Sequence, residues 1–132
     1  FTITDYSFFK SKLFAENNLK HDELNLFHRL YNIMFTSIRK PELIVYLHSD
    51  IERLQRNILK RGRDYEQNIS DLYLQQIEDK YFDYFKKQND VPVLMLDITK
   101  VNFIKDKDTY EKIVDAITNF DIKKEMEKKI LS

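Results

Sequence analysis

The chain has 132 residues, of which 42% are hydrophobic and 33% charged, a balance that predicts one folded domain and argues against disorder. Its 22 basic and 22 acidic residues cancel, which excludes a global electrostatic attraction to nucleic acid or to an anionic membrane. It has no cysteine, which excludes disulfides and thiolate catalysis and fits a cytoplasmic location, and no apolar run approaches the roughly 20 residues of a membrane span.

The first third of the chain predicts two helices. Residues 6–17 place large apolar side chains near helical spacing, directly after Asp5. Residues 22–38 repeat apolar side chains at intervals of three and four, with acidic residues in the first turn and the basic pair Arg39-Lys40 directly after the last. Pro41 prevents the second helix from continuing.

The middle of the chain predicts a strand followed by a capped helix. The continuous apolar run 43–47 is typical of a strand buried on both faces of a parallel sheet. Ser49 to Glu52 fits a capping box, so we expect Ser49 to begin the next helix. That helix reaches Arg61 and ends at Gly62, the only glycine in the sequence.

The remainder predicts a helix, a strand and a further helix. Residues 63–69 are loop-like, Ser70 begins a helix, and residues 93–96 form a second buried strand that ends at Asp97. Residues 98–107 predict a loop, and Asp108 begins a second capping box and a final helix. The lysine-rich segment 121–132 is expected to be a charged tail, either helical or frayed.

This order predicts an α/β fold in which about two core strands form a parallel sheet flanked by five helices. We expect residues 1–120 to belong to a single domain. A doubly wound sheet normally has more strands, and the chain opens on Phe1 in mid-pattern. We therefore expect it to be the C-terminal part of a longer protein.

The segment around Gly62 indicates phosphate chemistry. Arg61 and Arg63 stand two residues apart across the glycine, where the backbone can bend so that both converge. Guanidinium groups form paired hydrogen bonds to phosphate oxygens and stabilise the charge that spreads during phosphoryl transfer. The alternative is a helix C-terminus that carries cations because they complement the helix dipole.

Two carboxylates are candidate substrate ligands. Glu66 could accept a hydrogen bond from a sugar hydroxyl or pair with an arginine, and Asp5 could accept from an amino group of a nucleobase. The alternatives are an exposed surface residue for Glu66 and a helix N-cap for Asp5. The three histidines lack ligand spacing, so no metal site is predicted on them.

Together these segments resemble the deoxynucleoside kinase family, and within it the bacterial deoxyadenosine/deoxyguanosine kinase branch. Residues 61–69, Arg-Gly-Arg-Asp-Tyr-Glu-Gln-Asn-Ile, are similar to the lid motif of that family. Residues 41–47 and 92–97 are similar to the strands on either side of the lid helices, and residues 4–9 are similar to the segment after the family's arginine-serine motif. The resemblance covers roughly residues 3–118.

The resemblance implies an enzyme with a P-loop kinase fold that transfers the γ-phosphate of ATP, with Mg²⁺, to the 5′-hydroxyl of a purine deoxynucleoside. In the lid, residues 60–69, it implies that Arg61 and Arg63 act on the phosphates as catalytic residues. It further implies that Glu66 holds the sugar 3′-hydroxyl and that Asp5 accepts from the base.

The resemblance also implies that the loop after Asp97, segment 98–105, borders the adenine of ATP, with Asp97, Ile98 and Thr99 as cofactor-binding residues. It further implies that helix 22–38 forms a homodimer. The family's P-loop and catalytic acid do not occur in these 132 residues. We therefore expect ATP and Mg²⁺ to be bound mainly by a missing N-terminal part, and this chain to be inactive alone.

Two alternatives to this function stay open. One is another P-loop kinase of nucleosides or nucleoside monophosphates, such as a thymidylate kinase, which also closes an arginine-bearing lid. The other is a non-catalytic helical module with the apolar face of residues 24–38 as its partner surface. Asn57 departs from the family pattern, since many relatives carry a further arginine one turn before Arg61.

Overall fold

The computed structural model describes residues 1–121, 123 and 125–131. Three parallel strands form one sheet in the order β1-β2-β3, with β1 spanning Ile44–His48, β2 spanning Val93–Asp97 and β3 spanning Met126–Ile130. The predicted α/β class with a parallel sheet is confirmed.

The described residues form five α-helices, the number predicted: α1 (Phe8–Asn18), α2 (His21–Phe35), α3 (Ile51–Arg61), α4 (Asp71–Lys87) and α5 (Lys107–Thr118). A single 3₁₀ turn, Asp64–Glu66, lies between α3 and α4. None of the helices described combines the length and the apolar character that crossing a membrane requires.

The core lies on both faces of the central strand β2. On one face Phe9 of α1 and Phe85 of α4 pack against Val93 and Met95. On the other face α5 packs against Leu94 and Leu96. Because β2 is covered on both sides, four of its five residues are buried, which explains its continuous apolar sequence.

The helix ends follow local chemistry, with two corrections to the sequence prediction. Gly62 ends α3 in the left-handed conformation with φ of 67°, and the Ser70 side chain caps α4 by accepting from Tyr73 N–H, both as expected. The N-cap of α3 is Asp50 rather than Ser49, and the N-cap of α5 is Asp106 rather than Asp108. A carboxylate satisfies helix N–H groups while adding a charge that the dipole favours.

The prediction for the C-terminal tail was wrong between Met126 and Ile130, which form the edge strand β3. Its register pairs Val93 with Met126 and Asp97 with Ile130, and Leu131 N–H extends the ladder to Asp97 O at 3.0 Å. Only two of its five side chains are apolar, so the strand is stabilised largely by backbone hydrogen bonds that side-chain patterning does not reveal. Ile122, Lys124 and Ser132 of the predicted tail lie outside the described residues.

Candidate active site

The candidate site begins with a helical hairpin formed by α3, residues 62–70 and α4. Below, this unit is called the lid hairpin, after the lid motif that residues 61–69 resemble. Gln67 fixes its turn, because its Nε2 donates to the carbonyls of Ile58 at 3.3 Å and Arg63 at 3.0 Å. Gln55 Nε2 joins the two helices by donating to Ile69 O and to Asp71 Oδ1, both at 2.8 Å. The turn is therefore tied to its helices by side-chain amides.

The lid hairpin extends beyond the carboxyl ends of the strands. Phe85 of α4 packs near the start of β2, whereas Glu78 lies 3.0 Å from His48 at the end of β1. The helix α4 is therefore antiparallel to the strands, and its residues 71–77 project past them by about 10 Å at 1.5 Å per residue. The carboxyl edge of a parallel sheet is the usual place for ligand binding in α/β folds.

At the tip of the hairpin, two arginines converge on one carboxylate. Arg61 Nη2 lies 2.7 Å from Glu66 Oε2, and Arg63 Nη1 lies 3.5 Å from Glu66 Oε1. The Glu66 side chain is only 13% exposed, whereas each arginine side chain is about half exposed. The surface interpretation of Glu66 is therefore wrong, because its carboxylate is mostly buried and paired.

This arrangement can bind anions. The two guanidinium groups already meet at one carboxylate, so the same pair can meet at one phosphate, which presents similar oxygen acceptors. Their outer faces stay accessible, and Gly62 between them supplies backbone freedom that other residues rarely have at positive φ. The lid thus combines two exposed cations with one shielded acid.

The second part of the site is the segment that follows β2. Asp97 Oδ1 accepts from Thr99 N–H at 3.0 Å, and Ile98 N–H donates to His48 O at 2.8 Å. Burial raises the pKa of Asp97, but hydrogen bonds from Thr99 and the charges of His48 and Lys128 outweigh it and hold that pKa below its ordinary value. The Asp97 carboxylate is consequently well suited to remain ionised and hold this turn.

Arg53 of α3 also belongs to this region, although the sequence analysis did not select it. Its Nη1 donates to the carbonyl oxygens of Ile98 and of Thr99, the latter at 2.6 Å. One signal could have identified it: Arg53 lies in the first turn of a helix, where the dipole disfavours a cation. A cation in that place needs a specific partner.

Asp5 is exposed and lies three residues before Phe8, the first residue of α1. The N-cap of α1 is Ser7, so the interpretation of Asp5 as a helix cap is wrong. Its carbonyl oxygen accepts from Lys10 Nζ at 2.8 Å. Within residues 1–121, 123 and 125–131, the structure gives no hydrogen bond or ion pair between Asp5 and the lid, so the two parts of the predicted substrate site are not brought into contact.

The described residues contain no group of three or more histidine, aspartate or glutamate side chains that could hold a metal ion. The acids of the candidate site are engaged elsewhere, since Glu66 pairs with two arginines and Asp97 accepts from Thr99. These residues do not fit a Mg²⁺ site.

A family model described as deoxynucleoside kinase matches residues 1–121, which includes the sheet strands β1 and β2, the lid hairpin and the segment after β2. The chain belongs to the deoxynucleoside kinase family. The edge strand β3 lies beyond the matched residues.

Among curated relatives, deoxyguanosine kinase of Bacillus subtilis is 30% identical over 115 residues, which cover 84% of this chain and 56% of the relative. Deoxyadenosine/deoxycytidine kinase of the same organism is 32% identical over 79 residues, covering 60% and 36%. Deoxyadenosine kinase of Lactobacillus acidophilus is 23% identical, covering 88% and 60%. The chain therefore spans about half the length of the relatives that it matches.

Proposed function

We propose that this chain is the C-terminal part of a deoxynucleoside kinase that transfers the γ-phosphate of ATP to the 5′-hydroxyl of a purine deoxynucleoside. The observation that carries the proposal is the convergence of Arg61 and Arg63 on Glu66 at the tip of the lid hairpin. Family membership supports the reaction class, and relatives named deoxyguanosine kinase and deoxyadenosine kinase support a purine substrate.

In this function the lid arginines bind the transferred phosphate. Phosphoryl transfer requires positioning and charge stabilisation more than covalent chemistry, so two guanidinium groups aimed at one point supply much of what the lid must do. Lid closure would also exclude water from the transferred phosphate. The segment that begins at Asp97, Ile98 and Thr99 borders the adenine of ATP at the carboxyl edge of the sheet.

Glu66 has two partners in turn under this proposal. In the open lid it pairs with the arginines; when substrates bind, phosphate competes for the guanidinium groups and the carboxylate accepts from the sugar 3′-hydroxyl. Asp5 accepts from the exocyclic amino group of the base. ATP and Mg²⁺ are held mainly by residues outside this chain, since no P-loop motif occurs in it.

The activity is tested with the complete kinase that carries this sequence. We expect ATP-dependent phosphorylation of deoxyguanosine or deoxyadenosine, with lower kcat/KM for deoxycytidine and no phosphorylation of thymidine monophosphate. Preference for thymidine monophosphate would favour a thymidylate kinase instead. The 132-residue chain alone should show no ATP turnover. Turnover by this chain would contradict the proposal that ATP and Mg²⁺ are bound mainly by residues outside it.

The role of Glu66 is tested by Glu66→Gln in the same kinase. We expect the KM for the deoxynucleoside to rise about tenfold, because a charge-assisted hydrogen bond to the sugar is replaced by a neutral one. Glu52→Gln makes the same chemical change on the exposed side of α3 and should alter neither the KM for the deoxynucleoside nor the KM for ATP. An unchanged KM for the deoxynucleoside in Glu66→Gln would remove Glu66 from substrate binding.

We also propose that the kinase forms a homodimer through α2. That helix carries four large apolar side chains that are each at least half exposed, namely Leu26, Leu30, Ile33 and Met34. Burying this surface against a second copy would remove it from water. Ile33→Glu should shift the sedimentation of the complete protein from dimer to monomer, whereas Leu72→Glu, a similarly exposed site on α4, should not.

A further inference from the structure

Three hydrogen bonds join the first turn of α3 to the segment after β2. Arg53 Nη1 donates to the carbonyl oxygens of Ile98 and Thr99, and Asp50 N–H donates to Thr99 Oγ1 at 3.1 Å. These bonds connect parts of the chain that are more than 40 residues apart in sequence. They link the helix that ends at the lid residue Arg61 to the segment expected to border adenine.

Arg53 lies in the first turn of α3, where a cation is unfavourable unless it has a specific hydrogen-bond partner. The first turn of a helix presents unsatisfied N–H groups and a partial positive charge, which repel a cation. The Asp50 carboxylate offsets part of this by accepting from Arg53 N–H at 2.8 Å. Two carbonyl dipoles then receive the guanidinium, whereas Arg56, one turn further along α3, pairs with Glu52 at the exposed surface.

We propose that Arg53 is a positioning residue that holds segment 98–105 against α3 and so fixes the distance between the adenine-binding segment and the lid arginines. Arg53 and Arg61 are eight residues apart on one helix, which corresponds to about 12 Å along its axis. Helix α3 therefore sets the separation between segment 98–105 and the lid, and a bound nucleotide would contact both. This inference rests on the proposed function of the chain.

Kinetics of the complete kinase test the positioning role. Arg53→Ala should raise the KM for ATP about tenfold, because the hydrogen bonds from a charged group that order the ATP-binding segment are lost. The KM for the deoxynucleoside should change less than about twofold. Arg53→Lys keeps the charge but not the planar fork, so its KM for ATP should fall between those of wild type and Arg53→Ala. Arg56→Ala is the matched control and should leave both KM values unchanged.

Hydrogen exchange measured on the complete kinase tests the contact itself without reference to activity. The amides of Ile98, Thr99 and Val101 each donate a hydrogen bond within this region. They should exchange about tenfold faster in Arg53→Ala and at the wild-type rate in Arg56→Ala. Thr99→Val removes the hydroxyl that accepts from Asp50 N–H and that also bonds to the Asp97 carboxylate, and it leaves Arg53 in place. It gives a second perturbation of the same segment should Arg53→Ala fail to fold.

The two measurements separate failure of this inference from failure of the proposed function. A complete kinase that phosphorylates no deoxynucleoside would overturn the proposed function, and the exchange rates would still decide whether Arg53 orders segment 98–105. An active kinase in which Arg53→Ala matches Arg56→Ala, or raises both KM values equally, would overturn the positioning role. A selective rise in the KM for ATP together with faster exchange supports it.

Discussion

His48 and Glu78 connect the sheet to the lid hairpin, with Nδ1 of the histidine 3.0 Å from Oε1 of the glutamate. Both side chains are about 15% exposed, and the rings of Tyr46 and Phe82 lie within 6.4 Å of the imidazole. The contact joins the carboxyl end of β1 to the middle of α4. Everything on α4 before Glu78 extends beyond the sheet, so this pair anchors the base of the projecting part.

Glu78→Ala should therefore destabilise the chain more than the loss of an exposed pair does. Removing the carboxylate leaves the imidazole of His48 shielded from water without its partner, which costs about 1–3 kcal/mol. Glu111→Ala breaks the exposed pair with Lys107 and should cost less than about 0.5 kcal/mol. Urea unfolding followed by circular dichroism measures both, and equal losses would show that the His48 contact contributes nothing specific.

The sequence was sufficient to predict the elements whose residues are either buried on both sides or marked by a cap. The strand β2 has a continuous apolar sequence because helices cover both faces of the sheet, and Gly62 and Ser70 mark helix ends by local chemistry. The strand β3 carries neither signal. Its position depends on backbone hydrogen bonds to β2, which every residue type except proline can form on both sides. The side-chain composition of the segment therefore predicted only a charged tail.

The parts of the candidate site that are close in sequence were also predictable. Arg61, Arg63 and Glu66 lie within six residues, so their proximity follows from chain geometry once Gly62 ends the helix. The contact of Arg53 with Ile98 and Thr99 joins residues 45 and 46 positions apart, which no local pattern reveals. Asp5 lies far from the lid in sequence, and its predicted role in binding the base stays a prediction.

Replacing Arg63 should slow the chemical step of the complete kinase. Arg63→Ala removes one of the two guanidinium groups proposed to stabilise the transferred phosphate, and kcat should fall at least about tenfold. Arg56→Ala removes an exposed arginine from α3, the helix that leads to this turn, and should leave kcat within about twofold. Steady-state phosphorylation assays at saturating substrates decide this, and an unchanged kcat in Arg63→Ala would exclude Arg63 from the mechanism.

Replacing Gly62 isolates the cost of the backbone conformation at the lid. A Cβ at this position would meet no heavy atom within 4 Å, so Gly62→Ala creates no steric clash with the rest of the chain. The free energy of unfolding should still fall by about 1 kcal/mol, because a residue with a side chain is strained at a φ of 67°. Gly62→Asn should cost less, because asparagine tolerates the left-handed region. Urea unfolding should give this order, and equal stability of Gly62→Ala and wild type would mean that the turn relaxes.

The lowered pKa of Asp97 predicts a stability component that is lost in acid. Because the folded chain holds the pKa below the ordinary value of 3.8, the folded state binds a proton less readily than the unfolded state. The stabilisation is therefore fully present above pH 3.8 and disappears as the pH falls through the folded pKa. Asp97→Asn keeps an oxygen acceptor for Thr99 N–H but cannot ionise, so it removes this component alone.

The free energy of unfolding of wild type should thus exceed that of Asp97→Asn at pH 7, and the difference should shrink as the pH falls below 3.8. Urea titrations at pH 7, 5, 4 and 3 supply the comparison at each pH. Asp83→Asn makes the same chemical change on the exposed side of α4 and corrects for any general effect of replacing a carboxylate. A difference between wild type and Asp97→Asn that stays constant from pH 7 to pH 3 would show that the amide weakens packing and that the Asp97 charge does not stabilise the segment after β2.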